Sequence, residues 1–182
     1  MRILALDQSE TSCGFAVWGP EDACAASGTW CLGSEYTPPG VVFAKLHENM
    51  TGLHQLGKID AVFFERPRHL DGWNEHSNAN AHLLLVGLAA HIMSWGEAMG
   101  CRIIRDVHMA TWRRHFLGTM PRATKSAELK DMAMRMSRAL GFRPRIHDQA
   151  EAIGILDYAC AVLKLDPYWR DSALRQAVEA AR

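Results

Sequence analysis

Apolar residues cluster tightly from Ile3 to Leu6, break at Asp7, and resume from Gly14 to Trp18. Short continuous apolar runs of this kind predict strands with both faces covered. "TWCLG", Thr29 to Gly33, predicts a third strand at an edge, and "EYTPPG" after it a chain-breaking turn. The spacing then changes. Val42, Leu46, Met50, Leu53 and Leu56 fall near one helical face, which predicts a helix over Val41 to Leu56. "IDAVFFE" returns to the strand pattern, rich in aromatic and β-branched residues, and ends at Glu65, where "RPRH" stops it.

"LDGWNEHSNANAH" is polar and predicts a loop. Ala81 to Met99 is apolar on more than one side, as expected of a helix covered both by the sheet and by a partner chain. "CRIIRDV" predicts a strand, "MATWRRHFLG" a short helix and "TMPRATK" a loop. In "SAELKDMAMRMSRALG", Ser126 stands where a cap is needed and Gly141 where a helix ends. The Met132, Met134 and Met136 run in it suits core or partner surface. "FRPRIHD" reads as a linker, "QAEAIGILDYACAVLKL" as a helix and "PYWRDSALRQAVEAA" as a last one. The order β-β-β-α-β-α-β-α-α-α predicts an α/β fold, a mixed sheet with helices packed on it. One domain over 1–182 is expected, with a helical extension from about 166.

At 182 residues and 48% hydrophobic composition, the chain can bury a sizeable core. No apolar stretch reaches the roughly 18 uninterrupted residues of a membrane span. Asp7 interrupts the apolar start where a signal peptide would continue. Five scattered cysteines form no C-x-x-C pair, so neither zinc nor a disulfide framework is suggested. A reducing cytoplasm is the expected location.

Net charge is zero, but unevenly spread. From Arg102 to Arg145 there are 11 Lys and Arg against 3 acids, +8, and the remainder is −8. A basic segment beside an acidic remainder suits a nucleic-acid enzyme, and equally suits helices with solvated basic faces.

The acids supply the sharper signal. Asp7 ends one apolar strand and Glu65 another, while Asp148 and Glu151 open a late helix three residues apart, on one side of it. Each has a plainer role available: turn former, surface strand end, helix cap, capping box. Taken together, four carboxylates in an apolar neighbourhood repel one another unless a cation joins them. Magnesium, a hard ion that prefers oxygen ligands, does this well. Two such ions about 3.5–4 Å apart activate water and stabilise the leaving oxygen of a phosphodiester.

In this order the motifs resemble those of the RuvC-type Holliday junction resolvases, of the ribonuclease H-like superfamily, over about residues 1–165. "ILALDQSETSCGFAVW" resembles their first strand and hairpin, "DAVFFERP" their fourth strand, and "HDQAEAIGILDYA" their last catalytic helix. The resemblance implies a ribonuclease H-like mixed sheet flanked by helices, with Asp7, Glu65, Asp148 and Glu151 as catalytic and metal-binding acids. It implies a crossover junction endodeoxyribonuclease that uses two Mg2+ ions, with Mn2+ as a substitute, and leaves 5′-phosphate and 3′-hydroxyl ends. It also implies a homodimer on a four-way junction. The chain departs from the family in "DQSETSCG", where Asp-Pro-Gly is usual, and in Glu151, where Asp is common. A form this divergent suits the bacteriophage branch.

Phosphate contacts would supply most affinity for DNA. Arg113, Arg114, Arg122, Lys125 and Lys130 are candidates, and Lys125 matches the family's basic positions best. The loop after Glu65 adds Arg66, Arg68, Trp73 and Asn78. Trp73 suits a wedge between bases or, alternatively, a core anchor. His147, beside Asp148, is the one histidine placed to assist proton transfer. Asp157, six residues beyond Glu151, is expected to lie away from the metals.

"LALDQSETSCGFAVW" also looks like the phosphate loop that opens many carbohydrate kinases. Those need two lobes and a second phosphate loop, and this chain has room and motif for neither. A nuclease of the same fold acting on flaps, other DNA or RNA, and an inactive module that binds junctions, stay open.

Overall fold

The computed structural model describes residues 1–67, 79–121 and 123–171. Strands β1 (Ile3–Gln8), β2 (Ser12–Trp18) and β3 (Ala26–Cys31) form an antiparallel meander. Helix α1 (Pro39–Leu56) crosses to β4 (Ala61–Glu65), and α2 (Ala79–Ala98) crosses to β5 (Ile103–Val107). Both β4 and β5 run parallel to β1, giving the sheet order β3-β2-β1-β4-β5. Helices α3 (Met109–Leu117), α4 (Ser126–Ala139) and α5 (His147–Val162) follow, then a single 3-10 turn at Tyr168–Arg170. The element order is the one the apolar pattern predicts. Of the expected last helix, the part beyond Asp171 lies outside the described residues.

Strand alternation sorts the core into two layers. Ile3 and Ala5 of β1, Ala16 and Trp18 of β2, and Ala61 and Phe63 of β4 pack with α3, α4 and α5. Leu4, Leu6, Val17, Val62 and Phe64 pack on the opposite side with Val42, Leu46 and Met50 of α1 and Leu88, Ile92 and Trp95 of α2. Both faces are covered, which is why β1 and β4 read as unbroken apolar runs. The same alternation fixes the acids. Asp7 continues the Ile3–Ala5 row and Glu65 the Ala61–Phe63 row, so both belong to the α5 side.

Helix α5 has almost no solvent side. Every residue from Gln149 to Asp157 is buried. Two expectations about helix ends need correction. Ser126 does not cap α4: Lys125 occupies that position, with its carbonyl accepting from Leu129 N at 3.1 Å, so the helix starts one residue earlier than a Ser126 cap allows. Neither Asp148 nor Glu151 caps α5, because Ile146 holds the cap position and both acids lie inside the helix. Gly141 does follow the end of α4, with φ +87°, a conformation that favours glycine. Among the described residues, no helix is long and apolar enough to cross a membrane, and all five cysteines are free thiols.

Candidate active site

The C-terminal ends of β1 and β4 meet the first turns of α5, and one glycine permits the approach. Gly14 pairs with Asp7 across the β1–β2 hairpin. A Cβ on Gly14 would stand 2.0 Å from the Asp148 carbonyl oxygen and 2.3 Å from its carbon. Only a bare backbone lets α5 rest on the hairpin there. That contact sets Asp148 beside the strand that carries Asp7.

Each carboxylate sits in its own surroundings. Asp7 is 8% exposed, and no side chain donates a hydrogen bond to it among the described residues. Burial pushes its carboxyl well above the usual range, and the charges of Glu65, Glu151 and Asp148 push it further, with Lys130 pulling the other way. Glu65 Oε2 accepts from the buried Trp112 Nε1 at 2.9 Å, and the Glu65 carbonyl accepts from Gln8 Nε2 at 2.6 Å. Asp148 Oδ2 accepts from Ser12 Oγ at 2.6 Å and Ser9 Oγ at 3.3 Å. Glu151 Oε1 is ion-paired with Arg113, and its Oε2 lies 3.8 Å from Lys130 Nζ. The buried Cys13 thiol is raised as well, by burial first and then by Asp7 and Asp148.

The predicted DNA contacts divide. Arg114 and Lys125 are exposed. Arg66 is ion-paired with Asp106, and Lys130 faces Glu151. Arg113 points inward: it is 4% exposed and paired with Glu151, so it meets the carboxylates rather than the surface. The helix α3 period that exposes Arg114 buries its neighbours Trp112 and Arg113. Arg68, Trp73, Asn78 and Arg122 lie outside the described residues. His147 is turned to Asp131 on α4, 3.2 Å away, rather than to the acids.

Sequence reasoning did not find Ser9, Ser12 or Trp112 as partners of the acids. Ser12 had a usable signal, since it continues the Ala16–Gly14 row of β2 toward α5. Trp112 had none, because its contact joins residues 47 positions apart.

The chain superposes on solved structures at low sequence identity. Against "T. thermophilus RuvC in complex with Holliday junction substrate" the TM-score is 0.65 at 14% identity, over 89% of this chain and 96% of that one. The fold is that of RuvC. A second Thermus thermophilus RuvC structure gives a TM-score of 0.62 at 16% identity, over 90% of this chain and 97% of that one. No protein-family model and no curated protein sequence matches the chain. The RuvC-like fold therefore stands on structure, with sequence identity far too low to carry activity with it.

The residues suit a hard divalent cation. The donors are all carboxylate oxygens, and Asp7 is crowded by negative charge without enough positive charge to offset it. Among the described residues, however, no three His, Cys, Asp or Glu side chains are gathered closely enough to enclose an ion as they stand. Trp112, Ser12 and Arg113 instead hold three of the acids.

Proposed function

We propose that this protein is a divalent-metal-dependent endonuclease that cuts branched DNA, with four-way junctions as its substrate. The observation that carries the reading is the charge that Glu65, Glu151 and Asp148 place on the buried Asp7, at the C-terminal end of β1 within a RuvC-like fold. Asp7, Glu65 and Asp148 would hold magnesium or manganese, with Glu151 as a fourth ligand once it parts from Arg113. When bound, such ions lower the pKa of water and offset charge developing on the phosphate oxygens.

The chain's own residues have distinct tasks. Ser9 and Ser12 orient the Asp148 carboxylate, and Trp112 orients that of Glu65. Arg113 holds the Glu151 carboxylate in place through their buried ion pair. Arg114 and Lys125, both exposed, bind phosphates. Helix α2 leaves Leu83, Val86 and Met93 exposed at helical spacing, opposite its buried Leu88, Ile92 and Trp95 face. A homodimer through that stripe would set two sites against two strands.

A second reading, junction binding without cleavage, is favoured by one observation: Glu151 already has two cationic neighbours and is not free to ligate. One experiment separates the two. A labelled four-way junction, a matched duplex and a flap are incubated with wild type and with Asp7→Asn, in Mg2+ or Mn2+ and in EDTA. Paired metal-dependent cuts that vanish in the variant support the resolvase. Equal binding by both proteins without cutting supports the binding module. Cutting of flaps alone keeps the nuclease and discards the junction substrate.

A further inference from the structure

Arg143 and Arg145 belong to the segment between α4 and α5, which the sequence marks only as a linker. Both are exposed. Among the described residues, neither guanidinium has a hydrogen bond or ion-pair partner. With Ile146 and Gln149 they form one wall of a groove of about 540 Å³, and Ser27, Gly28 and Thr29 of β3 form the other.

The groove is tied to the acids by sheet register. Asp7 pairs with Gly14, and Gly14 pairs with Thr29. The three residues form one row across β1, β2 and β3, on the α5 side. Two strand spacings put Thr29 about 10 Å from Asp7. Gln149 makes a second tie. Its Oε1 accepts from Arg145 N at 2.9 Å, and its Nε2 donates to Ser27 Oγ at 3.1 Å. Gln149 is buried and follows Asp148 directly, so the same turn of α5 holds the groove wall and a site acid.

Charge decides what the groove can take. Its lining contains two arginines and no acid. A cleft beside the 3-10 turn contains His115, Lys164 and Arg170, but also Asp157, Asp166 and Asp171. Another, near the start of α2, is rimmed by Glu10 and Glu35. Uncompensated positive charge beside hydroxyls is the chemistry that recognises phosphate. Thr29 Oγ1 in the groove floor is buried and without a partner among the described residues.

We propose that this groove binds the sugar–phosphate backbone of the same DNA strand that passes the carboxylates, within a few nucleotides of the cut. The inference rests on the nuclease reading and extends it. Arg143 and Arg145 grip phosphates, the Ser27 and Thr29 edge of β3 borders the strand, and Gln149 couples strand position to Asp148. The arginines act in binding and register, not in the chemical step.

The test is junction binding by the full chain in EDTA, followed by fluorescence anisotropy over a salt series. Arg143→Gln/Arg145→Gln is compared with wild type and with Lys58→Gln/Arg102→Gln, a control of equal charge change. Lys58 and Arg102 are exposed at the opposite, N-terminal ends of β4 and β5. Two lost phosphate contacts should reduce the slope of log K against log salt by about 1.8. At physiological salt the affinity should fall roughly 10- to 50-fold. The control should stay within about twofold of wild type, as distance and screening require. Melting temperatures verify that all three proteins are folded. A wild type that binds with an unchanged slope in the groove variant overturns the groove and leaves the nuclease reading intact. Equal losses in both variants overturn it too, because net charge would then explain everything. A folded wild type that binds no junction at all removes the nuclease reading, and the groove with it.

Discussion

Helix α5 carries buried acids near both of its ends, and their surroundings could hardly differ more. Asp157, 2% exposed, accepts from Trp169 Nε1 at 2.8 Å, Arg170 Nε at 2.8 Å and His115 Nε2 at 3.0 Å, with a further Arg170 contact. Its charge is matched and its oxygens are saturated. Two turns earlier, Glu151 joins Asp7, Glu65 and Asp148 in a group where burial, and then the charge of the other three acids, raises Asp7. A buried carboxylate that only supports the fold gathers enough partners to offset desolvation. A group left short of positive charge is poised to take a cation from outside. Asp157 anchors the chain's C-terminal part: Trp169, fully buried, packs edge-on against Trp18, Phe142 and Tyr168 and is fastened by that one carboxylate.

The largest expected effect lies at the unsatisfied end. Asp7→Asn should reduce junction cleavage by more than about 10³-fold, about 4 kcal/mol in barrier, while binding in EDTA persists. The same variant removes a buried, repelled charge. Metal-free Asp7→Asn should therefore melt higher than wild type, by about 3 °C for each kcal/mol relieved. A melt that falls instead would mean that Asp7 is satisfied like Asp157, and the contrast between the two ends would dissolve.

Gly14→Ala comes next. The new methyl group meets α5 backbone rather than a movable side chain, so the helix must shift. Misplacement on the order of 1 Å should cost about 10²-fold in cleavage and about 1–3 kcal/mol in stability. Cleavage and urea unfolding of the same preparation check both numbers.

Asp157→Ala should do the reverse. Removing the acid strands His115, Trp169 and Arg170, but Arg170, with 41% of its side chain exposed, can turn to water. The expected loss is about 2–3 kcal/mol, below the usual cost of breaking a fully buried pair. Cleavage per folded molecule should stay within about twofold. A large cleavage defect with unchanged stability would place Asp157 among the functional acids and erase the distinction.

The smallest effect sharpens the comparison from the far side of the sheet. His47 Nε2 and His91 Nδ1 stand 3.0 Å apart between α1 and α2, and the His91 ring stacks on Phe43. Burial, then His91, holds His47 below its ordinary value. The unfolded chain thus binds this proton more tightly. Stability should fall as pH drops through the unfolded value of about 6.5, with the loss complete below the folded value. Melting temperature measured between pH 7.5 and 5.5 should decline modestly in wild type and less in His47→Gln. Identical declines would assign the effect to other groups.

The amino-acid sequence alone was enough for the order of elements and for the positions of the four acids. Local period carries that information. Short runs rich in aromatic and β-branched residues, such as "AVFF", suit strands covered on both sides, and D-x-x-E at a helix start presents both acids one turn apart. It was not enough for the partners of those acids. Arg113 reads as a surface base, yet the packing of α3 on α5 turns it toward Glu151, 38 residues away. Asp157 reads as a bystander, and only the folding-back of Trp169 and Arg170 makes it an anchor. Arg143 and Arg145 read as linker, and only the row Asp7–Gly14–Thr29 brings their segment beside the acids. The difference has a physical cause. Secondary structure follows from neighbours along the chain. The net surroundings of a charge depend on long-range packing, which decides whether a buried carboxylate meets arginine, serine, tryptophan or another carboxylate.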